Sequence, residues 1–120
     1  MRLLRSRRYT SDKGDPQSLY KKGFQHFIAG EYDLAASEYR ESVSLDPSLA
    51  IAWNGLAMSL DRLGDIDGAL EAGKVLVELE PNEPLGHTSL SIFYQKKGMI
   101  PEAEEEKALA MRLTMAGQEK

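Results

Sequence analysis

The sequence predicts an all-α chain, a right-handed superhelical solenoid of three antiparallel helix pairs. Three observations lead there. Columns of like residues recur at a step of 34 positions: Gly30, Gly64 and Gly98; Ala35, Ala69 and Ala103; Tyr32, Ile66 and Ile100; Leu45, Leu79 and Leu113. The segments "SLDP" (44–47) and "ELEP" (78–81) keep the same step. Each copy also divides at its glycine into two stretches of helical length, and a fixed period of this size is the signature of stacked supersecondary units.

The six helices follow in order from their start and stop signals. Asp15-Pro16 opens the first, an acceptor side chain followed by a residue whose missing N–H costs nothing in a first turn. Gly30 closes it, because a residue without Cβ takes the left-handed conformation that ends helices. Glu31 then begins the second, where the helix dipole favours an acid. Pro47-Ser48 opens the third, Gly64 closes it and Asp65 begins the fourth. Asn82-Glu83-Pro84 opens the fifth, Gly98 closes it, and Pro101 sits in the first turn of the sixth. The expected spans are 16–29, 32–45, 49–63, 66–79, 84–97 and 101–117, as repeats 16–48, 49–82 and 83–117. Connections of a few residues make neighbours antiparallel.

The columns resemble the tetratricopeptide repeat. Copy two carries its pattern as Trp53, Leu56, Ala57, Leu60, Gly64, Ala69, Leu76 and Pro81. Copy three carries Leu90, Ser91, Tyr94, Gly98, Ala103 and Ala110, and copy one Leu19, Gly23, Gly30, Tyr32, Ala35, Tyr39 and Pro47. The resemblance covers about 16–117. Departures are Lys22 for a leucine, His26 for a tyrosine, Gly73 for an aromatic and Lys107 for the same aromatic in copy three. Gly73 is expected to thin the packing between copies two and three. Lys107 stands where the family meets a following repeat, which implies that the array ends there. Trp53 falls at a packing position, with Leu19 and His87 as its counterparts. Terminal repeats need a solvated outer face, which the last helix would supply through Glu102, Glu105, Glu106, Lys107, Arg112 and Glu119, leaving Leu109 and Met115 as exposed apolar spots.

Charge divides the 120 residues in two. Residues 1–15 carry Arg2, Arg5, Arg7, Arg8 and Lys13 against Asp12 and Asp15, a balance of +3, whereas the whole chain is at -4. A basic, flexible arm (1–15) therefore precedes an acidic body, with a short tail at 118–120. An acidic body repels phosphate, so nucleic acid is not an expected partner. Arg2, Arg5, Arg7 and Arg8 are candidates for docking on an acidic partner or, peripherally, on an anionic membrane surface. No hydrophobic segment follows the paired arginines, so no export signal is read there. The expected compartment is cytoplasmic, or mitochondrial if the Arg-rich terminus is a targeting sequence. No run is long and apolar enough to span a bilayer, and without cysteine there are no thiolate sites or disulfides.

No constellation for chemistry emerges. His26 and His87 lie on first helices of different copies without a Ser or Asp at helical spacing, and each reads as a packing or surface histidine. Neither a G-x-x-x-x-G-K-[ST] nor a G-x-G-x-x-G run is present, and no His/Asp/Glu set has metal spacing. "DRLGDIDG" (61–68) lacks the closing glutamate of a calcium loop, and "EAEEEKA" (102–108) reads as a solvated helix face. The expectation is a protein that is not an enzyme, without cofactor, metal or small-molecule substrate.

The resemblance implies that first helices line a concave groove in which a protein partner, a peptide or a helix, is held. The helical period points Tyr20, Phe24 and Phe27, then Asn54, Met58, Asp61 and Arg62, then Thr88, Ile92, Gln95 and Lys96 into it. Tyr20, Phe24 and Phe27 form an apolar stripe, unless a register shift buries them. Met58 would be an adaptable neighbour, and Arg62 and Lys96 would attract acids at the rim. Some family members clamp the carboxylate tails of heat-shock chaperones with lysines, asparagines and an arginine. The matching places here hold Tyr20, Phe24, Gly55, Leu85 and Ser89, so that clamp is not expected. The leading expectation is a non-catalytic adaptor. The alternative is a small subunit built into a larger assembly, docked through the arm.

Overall fold

A computed structural model describes residues 14–118, and the arm arginines Arg2, Arg5, Arg7 and Arg8 lie outside them. Six helices make up this region: α1 (Pro16–Ile28), α2 (Tyr32–Leu45), α3 (Ala50–Arg62), α4 (Ile66–Leu79), α5 (Pro84–Lys96) and α6 (Ile100–Gln118). They pair as α1/α2, α3/α4 and α5/α6, and each pair packs on the next.

The turn between the helices of a pair is built three times from one hydrogen-bond scheme. Gly30, Gly64 and Gly98 take φ of 81°, 84° and 79°. Each glycine N–H donates to the carbonyl three residues back, and the N–H that follows reaches five residues back: Glu31 to His26, Asp65 to Leu60 and Met99 to Tyr94, all at 2.9 Å. This is the Schellman closure, and it needs a left-handed residue in the glycine's place. Ala29, Leu63 and Lys97, expected to be the last helical residues, are the C-caps in front of those glycines.

Starts are less uniform. Asp15 caps α1, accepting the Gln17 N–H and the Ser18 hydroxyl, each at 3.1 Å. Asp65 caps α4 by accepting from the Gly68 N–H at 3.0 Å. Ahead of α3, Asp46 instead accepts the Ser48 N–H and hydroxyl. That local turn delays the helix, so Leu49 is the cap and not the first helical residue.

Small residues set the distances between helices. Ala35, Ala69 and Ala103 occupy equivalent places, one per second helix, and none of the three has any exposed surface. Alanine there lets the two helices of a pair close up, and a longer side chain would force them apart. Two buried hydroxyls donate across the contact within a pair: Ser42 Oγ to the Pro16 carbonyl and Ser91 Oγ to the Ala103 carbonyl, both at 2.8 Å.

Contacts between repeats use size complementarity, and they correct one expectation. From α2, Tyr39 (2% exposed) lies between Gly23 of α1 and Gly55 of α3. One repeat on, the large and small partners are exchanged. Gly73 of α4 makes room for Leu90 and Phe93 of α5, and both of those are buried. Gly73 therefore does not thin the packing, because bulk arrives from the facing helix.

Burial, and next to it the neighbouring Tyr20, push the Tyr39 phenol up from 10.0 to about 12. An unfolded chain loses this proton first, so the contribution is intact below about pH 10 and is lost as pH rises towards about 12. Up to about 2–3 kcal/mol is involved. Urea unfolding at about pH 9 and about pH 11 should show the loss, and Tyr39→Phe should flatten it; an unchanged slope in that variant would assign the effect to another group.

Candidate functional site

The expected groove residues do not all meet. Tyr20, Phe24, Phe27, Asn54 and Met58 converge on one cleft between α1 and α3, with Tyr39, Ile51 and Gly55 completing it, a space of about 150 Å³. The aromatic stripe is neither wholly buried nor wholly free. Tyr20 is half-buried and packs its ring on Tyr39 at 5.8 Å. Phe24 stacks on Tyr20 at 6.3 Å and 20° and is 48% exposed. Phe27 meets Tyr32 edge-on at 5.1 Å. One polar atom sits among them without a hydrogen bond, the enclosed Asn54 Oδ1.

Arg62 and Lys96 stand at equivalent places and are already engaged with the repeat before. Arg62 lies over Phe27 at 5.2 Å and over Tyr32 at 5.4 Å, and donates to the Tyr32 hydroxyl at 2.8 Å. Lys96 pairs with Asp61 at 2.7 Å. Both cations therefore join repeats along the groove before any ligand arrives. Lys97 adds a third contact of this kind, to Asp67 at 2.6 Å.

Thr88 and Ile92 face elsewhere. They line a second, larger groove of about 430 Å³ between α5 and α6, with Lys107, Met111 and Met115 on its far side. Sequence spacing did not separate these two spaces, because periodicity assigns a side chain to a face of its helix and not to a neighbour.

Trp53 and His87 perform one task in successive repeats. Trp53 packs on the core and its Nε1–H donates to the Pro47 carbonyl at 2.8 Å. His87 Nε2 makes the equivalent bond to the Pro81 carbonyl at 2.9 Å, while its Nδ1 lies 2.8 Å from Glu106 Oε1. Both partners are acceptors, so the buried ring makes both bonds when both nitrogens carry protons. His26 is half-buried, 3.6 Å from Glu38 and 3.9 Å from Glu31. Among the described residues no three His, Cys, Asp or Glu side chains gather as a metal site, and no helix is long and apolar enough to cross a membrane.

No protein-family model matches the chain. Solved structures do. A crystal structure of MamA superposes with a TM-score of 0.87 at 21% identity, covering 92% of this chain and 64% of that one. The CopN-Scc3 complex gives 0.79 at 24%, covering 82% and 58%. The first TPR of Spaghetti (RPAP3), bound to the HSP90 peptide SRMEEVD, gives 0.80 at 20%, covering 84% and 80%. The chain thus spans about three-fifths of the length of the first two. Its 34-residue period, its three glycine-closed helix pairs and these superpositions agree: the chain has the tetratricopeptide-repeat fold, in three repeats.

Proposed function

We propose that the chain is a non-catalytic interaction module, and that the cleft between α1 and α3 holds an apolar side chain of a partner peptide or helix. The observation behind this reading is Phe24, about half exposed on a stacked aromatic pair. A large ring left in water beside a cavity of side-chain size is a surface that gains by being covered. Met58 can adjust to the shape of what enters.

The likeness to a repeat domain bound to an HSP90 peptide supports peptide capture by this fold, but ligand chemistry follows side chains. The places of the chaperone-tail clamp hold Tyr20, Phe24, Gly55, Leu85 and Ser89, which offer no cationic or amide donor. An apolar ligand suits them better than a terminal carboxylate. A cleft this small buries little area, so an isolated peptide should bind on the order of micromolar.

The test is capture of a partner by the full chain, with its identity read by mass spectrometry, followed by the affinity of Phe24→Ala and Met58→Glu for it. Each variant should weaken binding at least about tenfold, with the melting temperature nearly unchanged because both side chains lie at the surface of the cleft. Wild-type affinity in both variants would remove the cleft from the interface.

A further inference from the structure

The end of the last repeat carries a surface that the first two repeats cover. In the body of the array, the second helix of a repeat receives the first helix of the next: Tyr39 lies against Gly55, Gly73 against Leu90, and Leu76 and Val77 against Gly86. The equivalents on α6 are Lys107, Ala110 and Met111. Ala110 is buried, but among the described residues Lys107 and Met111 are left exposed, and the larger groove runs beside them.

The exposed surface extends along α6 as one stripe. Ile100, Glu104, Lys107, Met111 and Met115 follow one another at steps of three or four, which places them on one face. Ile100, Met111 and Met115 are 51%, 57% and 58% exposed. Glu104 and Lys107 form no ion pair within the described residues.

The other end of the array cannot fill this groove. On α1, the places of Gly55, Leu90 and Phe93 are held by Lys21, Lys22 and Gln25. Docking α1 of one copy onto α6 of another would strip water from two ammonium groups and set them beside Met111 and a third cation, Lys107, at a cost of several kcal/mol. Head-to-tail stacking is disfavoured on this ground.

The stripe on α6, by contrast, is complementary to itself. Two α6 helices laid antiparallel, with a two-fold axis between positions 105 and 106, set Glu104 of each against Lys107 of the other. The same operation sets Ile100 against Met111. Each contact is made twice, as an isologous interface requires, and the apolar residues flank the charge pairs. We propose that the end face of α6 is an interface between two copies of this chain, paired antiparallel in this register.

The test is sedimentation equilibrium on the full chain. The wild type should give twice the mass of one chain in the micromolar range. Met111→Glu should give the single mass with unchanged helical circular dichroism. Lys107→Glu, which sets like charges together, should weaken the dimer about tenfold or more, and the double exchange Glu104→Lys with Lys107→Glu should restore it. A wild type that stays monomeric throughout that range overturns the proposal, as does a dimer that survives Met111→Glu or a charge exchange that restores nothing.

Discussion

Gly55→Ala is expected to lower stability by about 2–3 kcal/mol, and Gly73→Ala to change it by less than about 1 kcal/mol. Both glycines are interior to helices and gain about 1 kcal/mol of helix propensity on becoming alanine. They differ in what the new methyl group meets. A Cβ on Gly55 would lie less than 3.0 Å from three atoms of the Tyr39 ring. That ring cannot retreat, because a Cβ on Gly23 would already be 3.0 Å from its other face and Tyr20 packs on it as well. The strain therefore passes to the backbones of α1 and α3. At Gly73 the near atom is Leu90 Cδ2 at 2.9 Å, with the next contacts at 3.6 Å. A terminal methyl can rotate aside. Urea unfolding of the two variants measures the difference, and equal losses would contradict the asymmetry between the two contacts.

His87→Leu is expected to cost about 3 kcal/mol, and Trp53→Phe only about 1 kcal/mol, although the two rings hold equivalent places. Trp53 donates one bond to a carbonyl that solvent can reach. His87 is 4% exposed and bonds at both nitrogens, to Pro81 and to Glu106. Leucine would fill the space but leave the Glu106 carboxylate facing an apolar group. Thermal unfolding of both single variants reads the contrast. Adding Glu106→Leu to His87→Leu should recover part of the loss, since removing both polar partners costs less than stranding one. A double variant no more stable than the single would show that Glu106 finds another partner.

The sequence was most legible where a local rule decides structure. Second helices at 32–45 and 66–79 agree with the structure to the residue, because a left-handed glycine stands one residue before each cap. First helices were read one residue long at their ends, since the residue before each glycine is a cap and not helix. Less legible was anything settled between distant side chains. Gly73 looked like a loss when compared with its own column, and only the facing Leu90 and Phe93 explain it. Arg62 and Lys96 looked like free cations until their partners on the preceding repeat, Phe27, Tyr32 and Asp61, were in view. One signal could have been read: Trp53 and His87 each stand six residues after a proline carbonyl, and each ring offers an N–H.

Every pair of helices in this array leans chiefly on its neighbours in the chain, and α6 leans on α5. Stability in such a stack is a sum of repeat and interface contributions passed from one unit to the next. A helix supported from one side has the smallest share of it. Its amide protons are the ones expected to meet solvent most often, through fluctuations that leave the first two repeats closed. Among the six described helices, α6 is thus the one expected to loosen first, and the one to which anything that covers it adds the most.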